Sequence, residues 1–77
     1  MKVEKLNMGK NHKELNNQLE KRRRASGLTQ LELAEKVGVS RKSINSIENG
    51  IYIPTTVLAL KMATALNCTI HDLFQLP

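Results

Sequence analysis

Six hydrogen-bonding side chains lie close together near the middle of the chain: Ser40, Arg41, Lys42, Ser43, Asn45 and Ser46. Ile44 and Ile47 interrupt this polar run with the spacing of one helix face. If those isoleucines face inward, the polar side chains occupy the outer side of a helix. Arginine and lysine match the acceptors of guanine, asparagine matches adenine, and serine serves either role. The segment is therefore predicted to contact base edges, although a solvated helix face that binds nothing has a similar composition.

Other side-chain chemistry finds little support in the sequence. Cys68 is the sole cysteine, and His12 and His71 lie in different segments. The chain has no HExxH, CxxC or GxSxG motif and no glycine-rich phosphate loop. We therefore expect no enzymatic activity, no metal or cofactor and no small-molecule effector. Cys68 is expected to pack as a small apolar residue.

Five short helices are predicted to position these side chains, because helix caps and stops recur along the chain. They cover about residues 16–26, 29–37, 40–49, 56–66 and a last short segment that begins at Thr69. Thr29 with Glu32, and Thr69 with Asp72, have the spacing of capping boxes. Strand signals are scarce, so the expected fold class is all-α, a compact bundle without a sheet. The second and third helices, joined through Gly38-Val39, have the spacing of a helix-turn-helix.

Apolar spacing predicts which helix faces are buried. Leu31, Ala34 and Val37 share a face of the second helix, and Ile44 and Ile47 share a face of the third. The fourth helix has a longer stripe, formed by Leu58, Ala59, Met62, Ala63 and Leu66. Apolar side chains outside these faces are expected to pair with a second copy, because a small domain gains stability by association. This predicted dimer patch consists of Val57, Leu60, Leu73, Phe74 and Leu76.

The formal net charge of +5 lies in the first third of the chain. Residues 1–27 hold eight basic and three acidic side chains, which gives +5, and the charges of the remaining residues balance. This excess favours a polyanionic partner. Residues 1–14 are expected to form a basic, flexible arm before a domain of residues 15–77. With one cysteine, no export signal and no stretch long enough for a membrane, the chain is expected to be cytoplasmic.

Residues 28–50, LTQLELAEKVGVSRKSINSIENG, resemble the Xre-type, phage-repressor-like helix-turn-helix family. The shared pattern LTQxELAxKxGVSxxxIxxIENG is long and specific, and the resemblance extends from about Leu15 to Phe74. It implies a lambda-repressor-like domain that binds double-stranded DNA. In that arrangement the third helix enters the major groove and the second lies across the DNA backbone.

The resemblance also implies roles for individual residues. The side chains expected to contact bases are Arg41, Lys42, Ser43, Asn45 and Ser46. Those expected at the DNA backbone are Thr29, Gln30, Ser40 and Asn49, together with Lys21, Arg22 and Arg24 of the first helix. Arg23 and Glu48 match positions that form a largely buried ion pair between the first and third helices.

The sequence departs from the family pattern at two places that bear on this site. Arg22 stands where the family usually has an aliphatic residue, so its stem is expected to pack while its head reaches water. After Gly50 the family commonly has Lys-Tyr-Asn-Pro, whereas this chain has Ile51-Tyr52-Ile53-Pro54. The phosphate contact of that lysine is absent. We expect the isoleucines to pack under Tyr52 rather than to join a partner surface.

Together these features favour a transcriptional regulator that binds a specific sequence of double-stranded DNA. It is expected to be a repressor that binds a pseudo-palindromic operator as a homodimer. Repression is favoured over activation because blocking a promoter requires no second protein surface. Two alternatives remain open, an antitoxin that binds a toxin and its own operator, and a helical module with a purely structural role.

Overall fold

The structure, a computed structural model, describes residues 15–77; the arm predicted for residues 1–14 lies outside the described residues. Five helices follow one another in the described part: α1 (Leu19–Ala25), α2 (Gln30–Val37), α3 (Arg41–Glu48), α4 (Thr56–Ala65) and α5 (Ile70–Leu73). The expected all-α fold class is thus confirmed. Within residues 15–77, no helix has the length and apolar character needed to cross a bilayer.

Hydroxyl side chains begin α2, α3, α4 and α5. The Thr29 hydroxyl oxygen accepts a hydrogen bond from the Glu32 N–H at 3.0 Å, and the Glu32 carboxylate accepts one from the Thr29 N–H at 2.8 Å. Ser40 caps α3, Thr55 caps α4, and Thr69 begins α5 with a second capping box. Each cap satisfies backbone donors that a first helical turn leaves without partners. The predicted starts of these helices are therefore confirmed.

A short antiparallel pair of strands flanks the helices, contrary to the prediction of no sheet. β1 (Asn16–Asn17) pairs with β2 (Phe74–Gln75) in the register Asn16↔Gln75 and Asn17↔Phe74. Because Asn16 and Asn17 are extended, α1 starts at Leu19 rather than near Asn16. The Oδ1 atom of Asn17 accepts a hydrogen bond from the Leu19 N–H at 2.8 Å. Strands of two residues carry no alternating pattern, which is why the sequence does not reveal them.

The core is built from apolar side chains of all five helices. Its fully buried large members are Leu19, Leu33, Ile44, Ile47, Met62 and Leu73. The stripe predicted for α4 is buried throughout, so its spacing is confirmed. In α2 the prediction is confirmed for Ala34 and Val37, which are buried, and wrong for Leu31, which is 51% exposed; the fully buried leucine of this helix is Leu33. At roughly 100° per residue, Leu31 lies about 110° around the helix from the centre of the buried face.

Two members of the predicted dimer patch belong to the core instead. Leu73 is fully buried and Phe74 is 9% exposed. The reason is that β2 pairs with β1 directly after α5, and the Gln18 N–H donates to the Leu73 carbonyl at 2.8 Å. This end of the chain is thereby held across the core. The members that remain exposed are Val57 at 63%, Leu60 at 51% and Leu76 at 81%.

The capping box of α5 predicts a pH-dependent contribution to stability. Hydrogen bonds from the backbone N–H and side chain of Thr69 lower the pKa of Asp72 below its ordinary value of 3.8. Because folding lowers this pKa, the ionised carboxylate stabilises the folded state above pH 3.8, and the contribution disappears as the pH falls through the lowered pKa. We expect Asp72→Ala to unfold at a lower temperature than the wild type at neutral pH, with the two melting temperatures converging in strong acid. Thermal unfolding followed by circular dichroism from neutral pH to strong acid measures both melting temperatures. A difference between them that persists in strong acid would contradict a stabilising role of the ionised Asp72 carboxylate.

Candidate nucleic-acid interface

α3 presents an apolar face to the core and a polar face to solvent. Ile44 and Ile47 are fully buried, and the Ser40 hydroxyl accepts a hydrogen bond from the Ser43 N–H at 3.1 Å. The side chains predicted to contact bases all retain exposed surface; Arg41 and Lys42 are the most open, and Ser43, Asn45 and Ser46 are half-buried. The packing of the two isoleucines therefore determines which side of α3 is available to a partner.

The turn between α2 and α3 sets how α3 is presented. Gly38 ends α2 with φ of 79°, in the left-handed region that residues with a Cβ rarely adopt. The N–H groups of Gly38 and Val39 donate to the Ala34 carbonyl at 2.8 and 3.0 Å. Ser40 follows at once as the cap of α3. The two helices pack against each other across this short connection, which is a helix-turn-helix arrangement.

A hydrogen-bond network joins the start of α2 to the polar side of α3. The Arg41 guanidinium donates to Gln30 Oε1 at 2.9 Å. Gln30 Nε2 donates to Asn45 Oδ1 at 3.2 Å and to Glu48 Oε1 at 2.9 Å, and Asn49 Nδ2 donates to Asn45 Oδ1 at 3.2 Å. We refer to these five residues as the α2–α3 network. It orients side chains whose donors and acceptors match base edges and phosphates.

The α2–α3 network continues into an ion pair between α1 and α3. Arg23 donates to Glu48 through Nε at 2.5 Å and through Nη2 at 3.2 Å, and the two side chains are 7% and 2% exposed. Arg23 Nη1 also donates to the Leu28 carbonyl at 2.8 Å. The hydrogen bond to Glu48 raises the pKa of Arg23 above its ordinary value, so the guanidinium is charged throughout the working pH range. The pair implied by the resemblance thus lies at the inner end of the site.

The basic side chains of α1 are arranged differently. The Arg22 guanidinium lies 3.4 Å from the Asp72 carboxylate of α5, and Arg24 pairs with Glu20 one turn earlier at 2.9 Å. Lys21 lines an open cleft beside Arg22. Arg22 thus pairs with α5 and Arg24 pairs within α1, and neither side chain belongs to the α2–α3 network. Such exposed pairs are worth at most about 1 kcal/mol, so both cations remain available to a phosphate.

Asn17 is a positioning residue that no sequence pattern reveals. Its side-chain amide donates to the Ile47 carbonyl in the last turn of α3, so β1 holds the end of that helix. An asparagine just before a helix is a local turn signal. That signal does not reveal a partner 30 residues away in the sequence.

The loop after α3 differs from what was expected. Ile51, Tyr52 and Ile53 are 43%, 44% and 42% exposed, so the structure does not bury the isoleucines under Tyr52. The N–H groups of Ile51 and Tyr52 both donate to the Ser46 carbonyl, at 2.9 and 3.3 Å. This attachment holds two apolar side chains beside the polar side of α3.

Comparison with known proteins agrees with this geometry. A family model described as helix-turn-helix matches residues 19–73, from α1 to α5. An uncharacterised HTH-type transcriptional regulator of Archaeoglobus fulgidus is 52% identical over 48 residues, which are 62% of this chain and 69% of the relative. The uncharacterised HTH-type transcriptional regulator YgzD of Bacillus subtilis is 37% identical over 62 residues, 80% of this chain and 94% of the relative. Another from Methanocaldococcus jannaschii is 43% identical over 60 residues, 78% and 91%. The chain therefore belongs to the Xre-type helix-turn-helix family of DNA-binding transcriptional regulators.

Proposed function

We propose that this regulator is a cytoplasmic repressor that binds a specific sequence of double-stranded DNA with α3 in the major groove. The observation that carries the proposal is the α2–α3 network, which orients Arg41 and Asn45 on the polar side of a helix whose other side is locked in the core. A bidentate arginine or asparagine discriminates one base from another, and such discrimination needs a fixed side-chain position. Occupation of a promoter is sufficient for repression.

The contacts divide into two classes in this proposal. The side chains that contact bases are Arg41, Lys42, Ser43, Asn45 and Ser46. The residues that contact the DNA backbone are Thr29, Gln30, Ser40 and Asn49, with Lys21, Arg22 and Arg24 adding attraction that does not depend on sequence. Backbone contacts fix the register of the protein on DNA, and base contacts choose the site.

We further propose that the repressor is a homodimer and that its operator is pseudo-palindromic. Two copies related by a twofold axis present two α3 helices to half-sites about 34 Å apart on one face of the DNA. The side chains proposed to meet between the copies are Val57, Leu60 and Leu76, which stay exposed in the monomer. Val57 and Leu60 are three residues apart on α4 and so share one side of that helix.

The dimer predicts a change of mass for Leu60→Glu. We expect the wild type to sediment as a dimer at micromolar concentration and the variant as a monomer, because a carboxylate in an apolar interface is costly to desolvate. The matched control is Leu31→Glu, since Leu31 is also 51% exposed but lies on α2; this variant should remain dimeric. A monomeric wild type would rule out the dimer, and a dimeric Leu60→Glu would place its interface elsewhere.

Selection of bound fragments from a random duplex library tests the whole proposal. The expected result is one enriched motif with twofold symmetry and a centre-to-centre spacing of about one helical turn. A promoter that contains this motif should then be silenced by the regulator in a reporter strain. Failure to enrich any motif would refute sequence-specific binding, whereas stimulation of the reporter would refute repression alone.

A further inference from the structure

An apolar surface adjoins the polar side of α3. Ile51 and Tyr52, just beyond the helix, line an open cleft together with Ser40, Lys42, Ser43 and Ser46. Three of the five side chains proposed to contact bases therefore share this cleft with two apolar residues. Both apolar side chains retain more than two-fifths of their surface exposed.

The position of this apolar surface is fixed relative to α3. Gly50 turns the chain back with φ of 73°, in the left-handed region. The following two N–H groups then donate to the Ser46 carbonyl. Ile51 and Tyr52 are thus held by the backbone of Ser46, whose residue lines the same cleft. A ligand in this cleft that contacts Ser46 would lie next to both apolar side chains.

The major-groove edge of DNA offers one apolar group to such a surface. Guanine, cytosine and adenine present hydrogen-bond donors and acceptors there, whereas thymine adds a C5-methyl group. We propose that Ile51, with Tyr52 beside it, contacts a thymine methyl in each half-site and so contributes to sequence specificity. This inference rests on the proposed function, since it requires α3 to lie in the major groove.

Ile53 supplies a matched control within the same loop. It is 42% exposed, close to the 43% of Ile51. However, it lines a different cleft, with Leu15, Tyr52, Pro54 and Phe74. Tyr52 lies between the two clefts, and no residue of α3 lines the cleft that contains Ile53. A contact with thymine should therefore depend on Ile51 and not on Ile53, although both are exposed isoleucines of one loop.

The experiment replaces each thymine of the selected operator by deoxyuridine, which removes the methyl group and leaves base pairing intact. We expect wild-type affinity to fall about fourfold at one thymine per half-site, the effect of returning one methyl group to water. Ile51→Ser removes the contact in both half-sites of the dimer, so it should bind the thymine operator about sixteenfold more weakly than the wild type does. It should not distinguish thymine from uracil at this position. Ile53→Ser should distinguish them as the wild type does. Circular dichroism melts of both variants check that they fold.

Each possible outcome bears on the proposal. Loss of discrimination in Ile51→Ser alone supports it. Equal binding of thymine and uracil operators by the wild type at every position would overturn it while leaving sequence-specific DNA binding intact. Discrimination that persists in Ile51→Ser, or that disappears equally in Ile53→Ser, would overturn the assignment to Ile51. If no operator is enriched from the library, the proposed function itself fails, and this inference fails with it.

Discussion

Glu48→Ala should lower the free energy of unfolding by about 3–5 kcal/mol, because it leaves the buried Arg23 guanidinium without its counter-ion. The loss is that large because Glu48 also accepts from Gln30, so one substitution leaves two donor side chains, Arg23 and Gln30, without their shared acceptor. A small domain has a stability of about 5 kcal/mol or little more. The variant should therefore be close to unfolded at physiological temperature. Chemical denaturation followed by circular dichroism measures the effect.

Two comparison variants test whether the loss comes from leaving one buried charge without its partner. Glu20→Ala removes the partner of Arg24 in an exposed pair and should cost less than about 1 kcal/mol. The double variant Arg23→Met with Glu48→Leu removes both buried charges and should recover most of the lost stability. A loss for Glu48→Ala no larger than that for Glu20→Ala would show that the buried pair does not stabilise the fold.

Arg41→Ala should weaken binding to the selected operator by about 1–3 kcal/mol, roughly 5- to 150-fold. Its binding to random DNA should change much less, because a base contact contributes little to sequence-independent affinity. When the selection from the random library is repeated with the variant, the enriched motif should also accept other bases at the position that Arg41 contacts. Titration of labelled operator and random duplexes at one salt concentration gives both affinities.

Arg24→Ala is the comparison for that experiment. As a proposed phosphate contact, Arg24 should contribute equally to operator and random DNA. Its removal should reduce the slope of log affinity against log salt by about 0.9. Equal losses on both DNAs for both variants would contradict the assignment of base contacts to α3.

Sequence patterns predicted those parts of the fold that depend on neighbouring residues. The cap at Thr29, the cap at Thr69 and the buried stripe of α4 all follow from spacing within a few residues. The strand pair and the burial of Leu33 in place of Leu31 depend instead on how distant elements pack. Short-range periodicity does not contain that information, since two faces of α2 carry a leucine and only the neighbours of α2 decide between them.

In the candidate site, too, features that depend on neighbouring residues could be predicted, and features that depend on packing between elements could not. The polar residues of α3 could be selected from the sequence because Ile44 and Ile47 identify the opposite face. The contact between Arg41 and Gln30 could not, because it depends on the angle between α2 and α3. The exposure of Ile51 was likewise not predicted, because the path of this loop, whose first two N–H groups donate to the Ser46 carbonyl, does not follow from a pattern of side chains.

The α2–α3 network has a consequence for how regulators of this design diverge. Asn45 shares Gln30 with Glu48, so a substitution there that alters base preference also disturbs residues on which folding depends. Lys42 and Ser46 lie outside the network, and their replacement should change the preferred operator at little cost in stability. New DNA targets are therefore expected to arise first through substitutions of Lys42 and Ser46. Changes at Asn45 should need a compensating change at Gln30.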